Sequence, residues 1–359
     1  MAQPSAMAPR MLSPERADLA ATPRLYPHAL DTLFDRVVLV ERTEEDFRSA
    51  AFLDDRSLQA GARREIVAWQ DVAAAMPRSA RRDVQYIFHI GHVGSTLISR
   101  LLGELPALLA LREPLLLRTF ADQIRLAGRP ECAWPPHSLQ PRIETLTALL
   151  SRTFRSGQRA IVKATSFTSE AAPALVPHGS RALLVYTSAQ RYLENILAGD
   201  ASRQELHMLA GSRVARLNAR HGEPRWNLWE LAEAEKAALA WACEMTSLQQ
   251  AERALGPDRT LWVDFDAFLA DPATALARVA AFFGEPIDAA TAGRLAASPL
   301  MQRYSKSLEH EYSPGLREEV LAESRSANRA AIGSAMGWLN TAAQCYPALA
   351  DCLARSSQD

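Results

Sequence analysis

The dominant pattern along the chain is a series of short apolar runs of strand length, each leading through a turn into a stretch whose apolar positions recur at helical spacing. Residues 84–90 show no regular polar alternation, as expected of a strand buried on both faces. A turn, Gly91-His92-Val93-Gly94-Ser95-Thr96, follows, and then Leu97, Ile98, Leu101 and Leu102 recur as on a helix. Residues 108–111, 160–164 and 181–186, together with the run TLWVDFDAF at 260–268, give four more strands. Strands alternating with helices of this length predict an α/β fold around a parallel sheet.

Elsewhere the pattern is less regular. Residues 28–40 fit a helix or a strand, and residues 62–77 read as a helix stopped by Pro77. Residues 200–225 are polar and rich in arginine and histidine, which suggests a mobile flap over a site, with His207 and His221 as surface histidines. Residues 227–255 read as a long amphipathic helix, and the segment after Asp271 as another between Pro272 and Gly284. Residues 298–331 begin polar and turn helical from Pro314. The expected layout is a disordered lead-in (1–24), an N-terminal extension packing on the main domain (25–80), the α/β domain (81–340) and a tail (341–359).

Composition narrows the function classes. The 359 residues are 48% hydrophobic, enough for a large core, and the formal net charge of -1 argues against a broad nucleic-acid surface. No run reaches the roughly 18 apolar residues of a membrane span, and the N-terminus lacks the apolar core of a secretory signal. The expected location is therefore cytoplasmic. Four scattered cysteines form no C-x-x-C pair, so neither a zinc site nor a disulfide framework is expected. Lysine is confined to Lys163, Lys236 and Lys306 among 40 basic residues.

Three features carry candidate chemistry. The 91–96 turn, between strand and helix, aims unpaired N–H groups at one point, where an anion binds well; the hydroxyls of Ser95 and Thr96 add donors. The plain alternative is a turn capped by Ser95. It is not a Walker A sequence, since Ser95 stands where the lysine should be, and it lacks a dinucleotide fingerprint's third glycine. Glu113 sits at the tip of the second strand, where it serves a ligand or favours the next helix's N-terminus. Lys163, within an apolar strand, needs a cleft or an acidic partner. G-x-S-x-G, HExxH and the kinase motifs are absent.

FHIGHVGSTLISRLL, LREPLLLR, AIVKATS, LWVDFDAFLADPATALARVAAFFGEP and YSKSLEHEYSPGLREEVL together resemble bacterial members of the sulfotransferase superfamily, over roughly residues 80–330. The resemblance implies a P-loop-like three-layer sandwich with a central, mainly parallel five-stranded sheet flanked by helices. It also implies 3′-phosphoadenosine 5′-phosphosulfate (PAPS) as sulfuryl donor, with no metal. Gly91, Val93, Gly94, Ser95 and Thr96 then match the loop that grips the 5′-phosphosulfate, and His92 stands where relatives carry lysine or arginine. Glu113 matches a general base, and Lys163 a strand lysine on the donor sulfate. At the 3′-phosphate, relatives have an arginine and, eight residues later, a serine; here Thr187 and Asn195 take those places. Arg191 or Arg317 would supply the missing charge, and Tyr304 and Lys306 would close over the nucleotide.

The expected reaction is sulfuryl transfer to a hydroxyl or amine of a small molecule, peptide or sugar, with no nucleic-acid partner. The other readings are a divergent small-molecule kinase and a non-catalytic nucleotide-binding relative.

Overall fold

The computed structural model describes residues 19–59 and 61–357, whose eight strands form two sheets. β1 (Leu25–Asp31), β2 (Arg36–Glu41) and β3 (Arg64–Ala68) make an antiparallel sheet in chain order. β4 (Gln85–His89), β5 (Leu108–Arg112), β6 (Arg159–Lys163), β7 (Ala182–Tyr186) and β8 (Thr260–Asp264) make a five-stranded sheet in the order β5-β6-β4-β7-β8. Every pairing in it is parallel. β4, β5 and β7 are buried along their whole length, which is why their sequences show no alternation. The five predicted central strands are all present, each within a residue or so except the last. β8 stops at Asp264, whose carboxylate accepts from the N–H groups of Asp266 and Ala267 and so starts a helix, Phe265–Ala270.

From β4 the chain leaves towards β5 on one side, while β6 leads to β7 on the other. The strand order therefore reverses at β4, and in open parallel sheets ligands bind at the carboxyl ends of strands at such a point. Helices flank the sheet. Ser95–Gly103 and Pro272–Phe282 pack against each other, the former also on β4, β5 and β6; Glu233–Leu255 packs on β4 and in turn carries Asp200–His221 and Arg329–Cys345. Among the described residues no helix is long and apolar enough to cross a membrane.

Several expectations change. Residues 62–77 hold β3 and then a short helix, Trp69–Ala75, because only one face of β3 is covered and Ile66 is left exposed. Residues 28–40 lie in β1, a turn and β2. Of the expected disordered lead-in, residues 1–18 lie outside the described residues; the rest is pinned, since the buried Arg152 guanidinium donates to the carbonyls of Leu19, Thr22 and Leu25. The segment 25–80 shares one continuous core with the large sheet. Within the expected tail the described residues form the end of the Arg329–Cys345 helix, inside which position 340 falls, and a further helix, Pro347–Arg355.

The expected flap is a 22-residue helix, Asp200–His221. Its buried face includes Arg213 and Arg216, which meet the fully buried carboxylate of Glu244 at 3.2 and 3.0 Å. Arg213 and Arg216 interrupt the buried apolar positions Leu206, Ala210 and Leu217, so the stripe is broken and the sequence reads as loop.

Candidate functional site

Two conformational outliers mark the site. Asp35, His92 and Glu113 are the non-glycine residues with positive φ among the described residues, and two of them are candidate catalytic groups. Such conformations cost about 1–3 kcal/mol and persist where surrounding bonds enforce them.

His92 (φ 55°) lies between Gly91 (φ 89°) and Gly94 (φ 63°) in the loop between β4 and the Ser95–Gly103 helix. The loop is held at both ends of its bend. The Gly91 N–H donates to Nδ1 of His89 at 3.0 Å, whose Nε2 meets the carbonyl of Ala164 at 2.8 Å. This pattern requires neutral His89, and burial, then the Lys163 charge, keeps its pKa well below the usual value. Asn195 donates from Nδ2 to the His92 carbonyl at 2.6 Å. At Gly94 the ring of Phe265 lies where any Cβ would stand, so only glycine fits. Ser95 therefore does not cap the helix: Gly94 is the capping residue, with no side-chain bond. The N–H groups of Val93, Gly94, Ser95 and Thr96, and both hydroxyls, find no hydrogen-bond partner among the described residues. Unused donors at a helix start are an arrangement in which an anion binds well, a candidate anion cradle.

Glu113 (φ 50°) stands at the tip of β5, its N–H donating to the carbonyl of Lys163 on neighbouring β6 at 2.6 Å. That turn brings its carboxylate onto the buried ammonium of Lys163. Arg118 reaches Glu113 Oε2 at 3.1 Å and Asp54 at 3.2 Å, and Thr165 donates to Oε2 at 3.2 Å. Burial opposes ionisation of Glu113, but Lys163, Arg118 and Lys306 outweigh it and hold the carboxyl below its usual range. Burial lowers the Lys163 pKa, with Glu113 working against that shift. Lys163 thus meets its need for an acid directly.

On the other side of the loop, His92 Nε2 lies 3.3 Å from Glu205 on the Asp200–His221 helix. Glu205 is held well below the carboxylate range, against burial, by His92, Arg213 and Lys306. Lys306 makes no ion pair or hydrogen bond within the described residues, yet is close enough to Glu113, Lys163 and Glu205 to influence their charge. It rides on a turn closed by the Arg303–Glu311 bridge and tied down by Arg100, whose Nε donates to the Ser305 carbonyl at 2.7 Å. Tyr304, on the same turn, packs edge-on against Tyr312.

The four residues expected at a 3′-phosphate are all engaged within the protein. Asn195 holds the loop. Thr187 is buried, its hydroxyl on Asp266 and its carbonyl accepting from Trp241 Nε1 at 3.1 Å. Arg317 donates to Asp266 at 2.6 Å, and Arg191 lies 3.4 Å from Asp266 and 2.5 Å from Glu318. Burial works against ionised Asp266, but Arg317, Thr187 and Arg191 hold its carboxyl below the usual range. For the PAPS that the resemblance implies, the residues therefore fit the phosphosulfate end and not the 3′-phosphate.

Sequence reasoning missed Asp266, Glu205, Asp54 and Arg118. Asp266 stood in plain view within DFDAF, but nothing in a linear sequence signals which cations a carboxylate will meet. Among the described residues no three His, Cys, Asp or Glu side chains are grouped as a metal would need.

No family model matches the chain, and no curated protein matches it in sequence. Solved structures similar to it include the sulfotransferase domain from the curacin biosynthetic pathway (12% identity, 69% of this chain and 98% of that one, TM-score 0.40). Another is the sulfotransferase domain of the Synechococcus PCC 7002 olefin synthase (14% identity, 68% and 89%, TM-score 0.40). A third is mouse sulfotransferase SULT7A1, complexed with PAP (12% identity, 70% and 88%, TM-score 0.33). Identities and superpositions at this level say nothing of chemistry at the site.

Proposed function

We propose that the chain transfers a sulfuryl group from a nucleoside 5′-phosphosulfate, the reactive group that PAPS carries, to a hydroxyl or amine acceptor. The observation that carries this reading is the cradle of unused donors in Val93–Thr96, set at the tip of β4 beside the Glu113–Lys163 pair at the tips of β5 and β6. Neighbouring strands lie about 4.8 Å apart, so these groups fall within one small substrate's reach.

In this scheme the cradle holds the 5′-phosphosulfate, and Lys306 brings an uncommitted positive charge to it. The acceptor oxygen or nitrogen attacks sulfur in line; its new bond to sulfur forms as the bond from sulfur to the bridging oxygen breaks. The electron pair leaves with the nucleotide 5′-phosphate, and the acceptor proton passes to Glu113. Lys163 anchors the Glu113 carboxylate and, as the carboxylate takes up the proton, its charge turns towards the departing oxygen. His92, paired with Glu205, shapes the loop's outer side. As in phosphoryl transfer, positioning and electrostatics do the work, without a covalent enzyme intermediate.

The test is incubation with nucleoside 5′-phosphosulfates labelled in the sulfuryl group, with and without a 3′-phosphate, and a panel of phenols, alcohols and amines. Label moving to an acceptor supports the reading. Absence of both transfer and nucleotide binding overturns it. The mutual neutralisation of Lys163 and Glu113 favours a second reading, a nucleotide-binding protein without catalysis; binding without transfer would select it.

A further inference from the structure

The corner between β7, β8 and the Pro314–Ala327 helix holds Arg191, Arg317 and Arg325 against Asp266, Glu318 and Glu194, in contacts of 2.5–3.6 Å. The charges balance before any ligand arrives. Arg317 is buried, with its guanidinium over the Phe265 ring at 5.3 Å, so it is not free to swing out to an anion. Thr187 has its hydroxyl and carbonyl committed within the protein, and Asn195 has turned its amide to His92. A phosphate dianion placed here would face the Asp266 carboxylate and arginines already paired with carboxylates, a like-charge contact that selects against it. A carboxylate has the opposite preference: it accepts a hydrogen bond from a ribose hydroxyl, whereas an arginine in such a place accommodates a ribose phosphate.

We infer that the donor this site takes is a nucleoside 5′-phosphosulfate with a free 3′-hydroxyl, and that Asp266 excludes its 3′-phosphorylated counterpart. The inference rests on the sulfuryl-transfer reading and names its donor class. It leaves the cradle's task unchanged, since the 5′ end is bound by Val93–Thr96 in either case. Phe265 links the two ends: its ring closes over Gly94 on one side and carries Arg317 on the other.

Calorimetric titration of the full chain with adenosine 5′-monophosphate and with adenosine 3′,5′-bisphosphate tests the inference without any substitution. The monophosphate is expected to bind at least as tightly as the bisphosphate. Asp266→Asn, which removes the charge and keeps the shape, is expected to move the ratio at least tenfold towards the bisphosphate. A wild-type preference of tenfold or more for the bisphosphate would overturn the inference while leaving sulfuryl transfer standing. If neither nucleotide binds and no label is transferred, the sulfuryl-transfer reading falls, and this inference with it.

Discussion

Asn195 holds the carbonyl of His92 with its side-chain amide at 2.6 Å, so a residue on the helix after β7 fixes the left-handed turn of the loop after β4. The bond crosses 103 positions of sequence and secures the middle of the anion cradle.

Asn195→Ala should therefore act on the loop. One hydrogen bond of this kind contributes about 1 kcal/mol, so global stability should fall by about that much in denaturant unfolding. Affinity for nucleotide 5′-phosphates should fall several-fold in calorimetry, because the released loop must order itself on binding. Unchanged affinity would remove Asn195 from the account of the loop.

Glu113→Gln should lower kcat by roughly a hundredfold or more, the usual scale for losing a general base, while donor Kd changes little. The pH dependence follows from the lowered pKa of Glu113. A carboxyl depressed in the folded state contributes stability above its unfolded value of about 4.3, and that contribution is lost as pH falls through the folded value. The acid limb of kcat/KM should thus lie below about pH 4.3, and the stability gap between wild type and Glu113→Gln should narrow on acidification.

Lys306→Met should leave stability within about 0.5 kcal/mol, since the side chain has no partner to lose. Its effect should appear in donor affinity, which should weaken and become less sensitive to salt. A large loss of stability with unchanged affinity would make Lys306 a structural residue.

Glu244→Gln should be costly for a reason remote from chemistry. It would take the fully buried carboxylate from Arg213 and Arg216, leaving Arg213 only Glu205 at 3.9 Å and Arg216 only Glu170 at 2.9 Å, a loss towards the lower end of about 3–5 kcal/mol readable in the denaturant midpoint.

The central sheet was legible because β4, β5 and β7 are buried on both faces and so leave uninterrupted apolar runs. The small sheet was not, since β3 alternates Arg64, Glu65 and an exposed Ile66 before passing straight into a helix. The Asp200–His221 helix hid because Arg213 and Arg216 break its buried apolar face, and the carboxylate they meet lies on a different helix. At the site, glycines and hydroxyls at a strand-to-helix junction announce an anion cradle by local geometry alone. Which acid meets which base depends on strand order. Lys163 showed its need for a partner, but that Glu113 fills it follows from β5 lying beside β6. Arg191 and Arg317 read as spare cations until Asp266 comes between them.

The cradle itself is the central claim, and amide NMR tests it most directly. During titration with adenosine 5′-monophosphate, and separately with adenosine 3′,5′-bisphosphate, the backbone N–H signals of Val93, Gly94, Ser95 and Thr96 should shift saturably in at least one titration. The tip of the turn bearing Lys306 should move with them. Saturable binding that leaves those four amides unperturbed would contradict the account.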